Sequence, residues 1–292
     1  MPARPSGVTV ALLRAAVTSP FRRAGRPGAV LPAGRAVLPL APIAPGPLAA
    51  YRRICGFPDT DVLPPSYPHV LGFPAAMRLM TARGFPLPVV GLVHTWIEIT
   101  RHRAPRATDP LELTVYADDL SPHRRGTEVT MVTEARRAGE LIWESRSGYL
   151  SRHARSTPPT GDRTAPGAVG PKAADGLPAV AEWRLPGDLG RRYGAASGDR
   201  NPIHLYPLTA RLFGFPRPIA HGMWTLARCL AEAPDPDGIQ RVRADFKAPV
   251  PAALDRHLRG GRHRIPAARR RRTRPPHGHD DPDTGPMTYA RP

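Results

Sequence analysis

Lysine is nearly missing from this chain of 292 residues: of its 42 basic side chains only Lys172 and Lys247 are lysine, and the rest are arginine. Cysteine is as scarce, at two residues. Cys55 and Cys229 are far apart and lie in apolar surroundings, which excludes a disulfide framework and fits free buried thiols in a reducing cytoplasm. No apolar run approaches the ~20 residues that cross a bilayer, so no membrane partner is expected. The opening MPARPSGVTVALLRAAV has a short apolar stretch broken by Arg14 and no small-residue cleavage site after it, which makes a poor signal peptide. The reading is therefore cytoplasmic. What the chain has in quantity is proline, at 39, and glycine, at 27, more than a compact fold needs throughout, so part of it is expected to be unstructured.

A net charge of +18 would ordinarily point to nucleic acid. Its placement argues against that. Residues 1–50 hold six arginines and no acid, residues 255–292 hold ten arginines against four aspartates, and the long middle keeps only a small excess. Arginine without lysine, beside abundant Ala, Gly and Pro, reads as the coding bias of a G+C-rich genome. A basic-tailed scaffold for nucleic acid is the weakest of three functional readings.

Punctuation divides the chain into a loose leader (1–30), a first ordered region (31–152), a Pro/Gly/Ala-rich linker (153–180), a second ordered region (181–254) and an Arg-rich tail (255–292). In the first region order begins near Leu48-Ala49-Ala50-Tyr51. An apolar helix follows over 68–83, closed by Gly84 and Pro86. Four strand-like runs come next, at 92–100, 111–117, 128–135 and 141–151. The second region has a short strand (181–185), a helix over 187–196, a loop, a long helix from Pro218 with Ile219, Met223, Leu226, Ala227 and Leu230 on helical spacing, and an alternating strand over 241–250. Helix then strand occurs twice, a coarse repeat with unequal copies, and the layer pattern is α+β. The tail has almost no β-branched or large apolar residues and carries the run Arg269–Arg272. It is expected to be disordered, and a shifted reading frame that replaced three strands would account for its change of character.

The chemistry concentrates in SGDRNPIH, residues 197–204. Pro202 biases Asn201 toward an extended backbone, so the preceding helix cannot run through and the chain must turn. A turn brings Asp199 and His204 toward one point, where a carboxylate and an imidazole sharing a water can take its proton and return one elsewhere. Ser197 and Asn201 can hold such a loop through backbone hydrogen bonds. A capped turn and nothing more is the competing reading, because Ser, Asp, Asn and Pro are all ordinary turn residues. A second block, GFPRPIAHGMWTLA (214–227), places Gly222 early in a buried helix. Early helical N–H groups have no internal partner, and glycine lets a ligand approach the backbone. That suits an oxygen that becomes negative during reaction, although His221-Gly222 could equally mark a tightly packed helix start. Together the two blocks suit addition of water to an α,β-unsaturated thioester.

The stretch YGAASGDRNPIHLYPLTARLFGFPRPIAHGMWTLA (193–227) resembles the signature of the MaoC-like dehydratases, the (R)-specific enoyl-CoA hydratases. The resemblance implies a double hotdog, each half an antiparallel sheet around a long central helix. The first half is degenerate, without an Asp/His loop, and the second is incomplete. It implies Asp199 and His204 as the catalytic dyad, the Gly222 N–H as oxyanion donor, and Ser197, Asn201 and His221 as loop support or substrate contacts. The substrate would be an acyl-CoA thioester, with CoA only as part of it and no metal or redox cofactor. A homodimer or a partner hotdog subunit is possible.

The chain departs from the pattern at three places. Gly194 replaces the usual Ala; PAALDRH stands where a Pro-Gly-Asp-type turn normally follows the strand FKAPV; and the remaining strands are absent. One or two strands cannot cover a long apolar helix, so a silent, truncated protein that binds acyl groups or a partner subunit is the second reading. Elsewhere, Trp183 and Trp224 read as core, and Asp118-Asp119 as a strand-end turn. His257, His263, His277 and His279 have no metal-site spacing. Arg243 and Lys247 face either CoA phosphates or water.

Overall fold

The computed structural model describes residues 29–89, 91–153, 179–252 and 254–261. The expected leader up to residue 28, the linker over 154–178 and the tail beyond 261 lie outside the described residues. The tail histidines 263, 277 and 279 lie there too.

The first half runs β1 (Ala36–Ala41), α1 (Pro45–Cys55), α2 (Tyr67–Thr81), β2 (Val93–Arg101), β3 (Leu111–His123), β4 (Gly126–Arg137) and β5 (Glu140–Arg152). The second runs β6 (Ala179–Leu185), α3 (Leu189–Ser197), a 3-10 turn (Pro202–His204), α4 (Pro207–Leu212), α5 (Gly222–Ala231), β7 (Arg241–Asp245) and β8 (Leu254–Gly261). Six strands form one antiparallel sheet in the order β1-β3-β4-β5-β2-β7, and β6 pairs with β8 in a separate ribbon. α2 lies across β1, β3 and β4. This helix wrapped by an antiparallel sheet is the hotdog architecture, in an α+β protein whose second half is incomplete among the described residues.

Alternation fixes which face of β5 meets the helix. Trp143 is fully buried and its Nε1 donates to the Pro65 carbonyl at 2.8 Å, while Ser145 Oγ lies 3.1 Å from His69 Nδ1 on α2. The odd-numbered residues of β5 therefore face inward. The even side is tight: at Gly148 a Cβ would run into the Trp96 ring.

The repeat meets itself in space. Each half has a helix followed by a strand, and the two strands, β2 and β7, pair antiparallel, Trp96 opposite Asp245 and Ile99 opposite Val242. One apolar cluster spans both halves and includes Tyr51, Tyr67, Trp143, Tyr193, Trp224, Leu226 and Leu230. α5 docks on α1: Trp224 Nε1 donates to the Ile54 carbonyl at 2.9 Å, and the Arg228 guanidinium to that of Cys55 at 3.1 Å. Each large apolar side chain so buried contributes about 1.5–3 kcal/mol. The incomplete half thus uses the first half as the other wall of its core. Trp183 and Trp224 are core, as expected; Cys55 is buried and Cys229 half-buried, and neither is in a disulfide.

Several boundaries differ from the sequence reading. The second central helix starts at Gly222, not near Pro218, and has ten residues. The stretch before it is held in extended pairing, with Ala252 N–H donating to Pro218 O and Ala220 N–H to Val250 O, both at 2.8 Å. That pairing also ends β7 at Asp245, so the alternation through Val250 is not one strand. Asp118-Asp119 is not a strand-end turn. The pair sits inside β3 at a bulge, where Asp118 binds Arg146 at 2.5 Å. Within the stretch read as tail, Leu254–Gly261 forms β8 against β6. A ladder is made by backbone groups, so it needs no apolar face of its own, and β6 offers an edge to pair. β1 and the short helix α4 had no distinct sequence signal.

Candidate active site

α3 stops at Gly198, whose φ of 76° lies in the left-handed region that glycine enters without strain. The loop then ties itself down. Ser197 Oγ donates to Tyr193 O at 2.8 Å and accepts from Asp199 N–H at 3.2 Å. Asn201 N–H donates to Asp199 Oδ1 at 3.1 Å, and Asn201 Oδ1 accepts from Ile203 N–H at 3.4 Å, capping the 3-10 turn that carries His204. The loop folds back onto α3 across bare glycine backbone. A Cβ at Gly194 would stand 2.7 Å from Asp199 O, and one at Gly190 would overlap His204 O. Gly194, a departure by sequence, is what admits the loop.

His204 is buried, and its Nδ1 lies 2.7 Å from Ile219 O. A carbonyl can only accept, so Nδ1 carries the proton and Nε2 of the neutral ring is left with its lone pair. Burial holds the His204 pKa below the ordinary imidazole value, although the Asp199 charge and the Ile219 carbonyl work the other way. Burial raises the Asp199 pKa, against the pull of His204 and the Asn201 N–H. Its side chain nonetheless keeps 26% of its surface open.

His221 caps α5. Its Nε2 donates to the Asp199 carbonyl at 3.1 Å and lies 3.9 Å from Asp199 Oδ2, while its ring stacks on His204 at 3.7 Å between centroids and 28° between planes. Burial, then the neighbouring His204, holds His221 well below the ordinary imidazole value. Its Nδ1 is buried without a protein partner. One donor atom from each of Asp199, His204 and His221 falls within 4.8 Å of the others. His204 Nδ1 and His221 Nε2 bind carbonyls, which leaves His204 Nε2 and His221 Nδ1 as the ring nitrogens with free lone pairs.

Gly222 is the first residue of α5, directly after His221. Its N–H belongs to the helix turn that has no internal acceptor and carries the positive end of the macrodipole. A Cβ there would stand 3.0 Å from the Phe246 ring. Asp199, His204, His221, Ser197 and Asn201 thus come together, with Gly222 adjacent. Arg243 does not present a free guanidinium: it binds Glu98 at 3.3 Å and Asp245 at 3.4 Å and covers the Trp96 ring, while Lys247 is exposed.

Three residues that sequence reasoning missed close the far side. The His94 ring lies 4.5 Å from that of Tyr149 and 4.9 Å from that of Phe246. Burial, and then the Asp199 charge, push the Tyr149 pKa up, so its hydroxyl feels the site from β5. Along the chain, Tyr149 and His94 are ordinary strand residues 50 and 105 positions from Asp199, and no local pattern marks them.

Residues 184–252 match the family model described as MaoC like domain. Over 211 residues the chain is 38% identical to 3-hydroxyacyl-thioester dehydratase X of Mycobacterium tuberculosis, covering 72% of this chain and 73% of that one. The chain belongs to the MaoC-like dehydratases. It is a hydro-lyase of the hotdog type. The crystal structure of HtdX from M. tuberculosis superposes with a TM-score of 0.63 at 32% identity, over 78% of this chain and 87% of that one. A MaoC-like dehydratase from Phytophthora capsici, 16% identical, shares the fold with a TM-score of 0.64, over 82% and 88% of the two chains. The match to Enoyl-CoA hydratase 2, peroxisomal, of Arabidopsis thaliana is 39% identical over 61 residues, 18% of this chain and 19% of that one.

Proposed function

We propose that this MaoC-like dehydratase adds water reversibly to trans-2-enoyl-CoA thioesters to give (R)-3-hydroxyacyl-CoA, with Asp199 and His204 handling the water and the Gly222 N–H steadying the thioester oxygen. The observation that carries the reading is the hydrogen bond from His204 Nδ1 to Ile219 O, which leaves the Nε2 lone pair open on a ring within reach of the half-buried Asp199 carboxylate. In the hydration direction, one member of the pair removes a proton from water and the hydroxyl adds to Cβ. The electrons move to the thioester oxygen at the tip of α5, and Cα then takes a proton from the pair. Proton removal and return balance, so no redox group or metal is required, and CoA enters only as part of the substrate. His221, Ser197 and Asn201 position the loop. Residues 181–254 carry the chemistry and residues 31–152 the scaffold. Neither Cys55 nor Cys229 is in a disulfide, and the setting proposed is cytoplasmic.

Asp199→Asn and His204→Ala test this. Each is expected to cut crotonyl-CoA hydration by about 10²–10⁴-fold while the melting temperature is kept. Full activity in both would reject the dyad.

One observation favours a second reading, a silent chain that binds acyl groups or a partner hotdog subunit, or pairs with its own copy. Among the described residues β7 has a strand partner on one side only. An aggregated or inactive purified protein would support it; a soluble, cooperatively melting, active one supports the first.

A further inference from the structure

Beyond Trp143 the inward face of β5 turns polar. Ser145, Ser147 and Tyr149 share that face, and His94 stands opposite Tyr149 on β2. Ser145 is satisfied by His69. Ser147 is fully buried, and its Oγ has no protein partner; His94 Nε2 is likewise buried and unpaired. Leaving a buried polar group unpaired costs about 1–3 kcal/mol, so two such groups on one small patch call for something to meet them.

The patch adjoins the reaction site. From Gly222 the contact passes to Phe246, then to His94, then to Tyr149, whose hydroxyl feels the Asp199 charge. Ser147 is one step further along β5, roughly 7 Å beyond Tyr149 and diagonal to His94. An acyl chain running from the site along β5 would reach the patch after several methylenes.

We infer that the degenerate half carries a polar subsite, formed by Ser147 Oγ and His94 Nε2, that selects acyl thioesters bearing a hydroxyl group along the chain. This rests on the thioester hydratase reading. The chemistry identifies a neutral hydroxyl. Burial lowers the pKa of His94 to about 3 and that of His69 to about 4, so neither offers a cation to a chain carboxylate. A hydrogen bond to the Trp96 backbone engages the other side of the His94 ring, leaving Nε2 as an acceptor. A hydroxyl can donate to Nε2 and accept from Ser147; a ketone can do only the second.

The test is calorimetric binding of octanoyl-CoA and of its counterparts hydroxylated on the sixth, seventh or eighth carbon, for the intact chain and for Ser147→Ala and His94→Phe. At one position the hydroxylated thioester is expected to bind about tenfold more tightly than the plain one. The preference should fall to about one in whichever variants fold. A wild-type ratio near one at all three positions overturns the subsite. So does a preference that survives both variants, or a Ser147→Ala protein that melts higher with the ratio unchanged, the mark of a buried water. Turnover of trans-2-octenoyl-CoA is followed in parallel. A preserved preference without turnover sinks the hydratase reading alone; turnover without preference sinks the subsite alone.

Discussion

On the proposed reading, the two halves of this MaoC-like dehydratase divide scaffold from chemistry. The first half has a 15-residue central helix and five strands, with no Asp/His loop. The second has a ten-residue helix and a single strand in the main sheet, yet it holds Asp199, His204, His221 and Gly222. By strand count the second half should not stand alone. It does not have to. α5 rests on α1, α3 packs against α1, and β7 completes a ladder begun by β2. What looks like a truncated domain in sequence is, in space, a site mounted on its neighbour. The comparison teaches that the stability of a half-domain is read from the surface it shares, not from its own inventory of strands.

The largest expected effect comes from cutting that shared surface. Trp224→Ala removes a buried ring and its hydrogen bond to Ile54, and should cost about 3–5 kcal/mol in chemical denaturation. A single transition reporting both halves would confirm that they fold as one unit; two separate transitions, with the first half unmoved, would break the comparison.

Next comes a change confined to the second half. In Gly190→Ala the added methyl overlaps the His204 carbonyl, so the loop must shift away from α3. A displacement of order 1 Å at a catalytic group costs on the order of 10²-fold in rate. Hydration of crotonyl-CoA should fall by that factor with the cooperative transition retained; unchanged activity would mean that the loop is not held to α3 as described.

The smallest effect compares the halves by pH. His69 and His94 in the first half are held near 4 and 3 by burial, and His204 and His221 in the second are also lowered. The unfolded chain takes up protons near pH 6.5 that the folded chain refuses, so stability is greatest above that value and declines as pH falls toward 4. Each of His69 and His94 should cost about 1–2 kcal/mol by pH 5. The raised Asp199 acts in the opposite sense and offsets part of the loss. His69→Phe, measured by denaturation at about pH 7 and about pH 5, should flatten the acid limb; an unaltered limb would show that His69 already titrates as an open residue.

How much of this was legible in the sequence follows from the range of each interaction. SGDRNPIH and the His-Gly pair stood out because turn, cap and helix-tip chemistry is written within a few residues, and Asp199, His204 and His221 do come together, with Gly222 next in sequence. The start of α5 was misread because Pro218–Ala220 is claimed by residues 250–252, a pairing about 30 positions away. β8 was missed because a backbone ladder leaves little trace in side chains. Tyr149 and His94 were invisible because only the sheet sets His94 against Tyr149 and brings Tyr149 within reach of the Asp199 charge. Gly194 was read only as a departure from the family pattern when it is a close approach.

The central claim is that Asp199 and His204 act on one water as a unit. The most direct test is the crotonyl-CoA hydration rate of Asp199→Asn, His204→Ala and the protein carrying both changes. Groups that serve one step are not additive, so the double variant should be about as slow as the slower single variant. If the two losses instead multiply, the carboxylate and the imidazole work independently, and the account of the site is wrong.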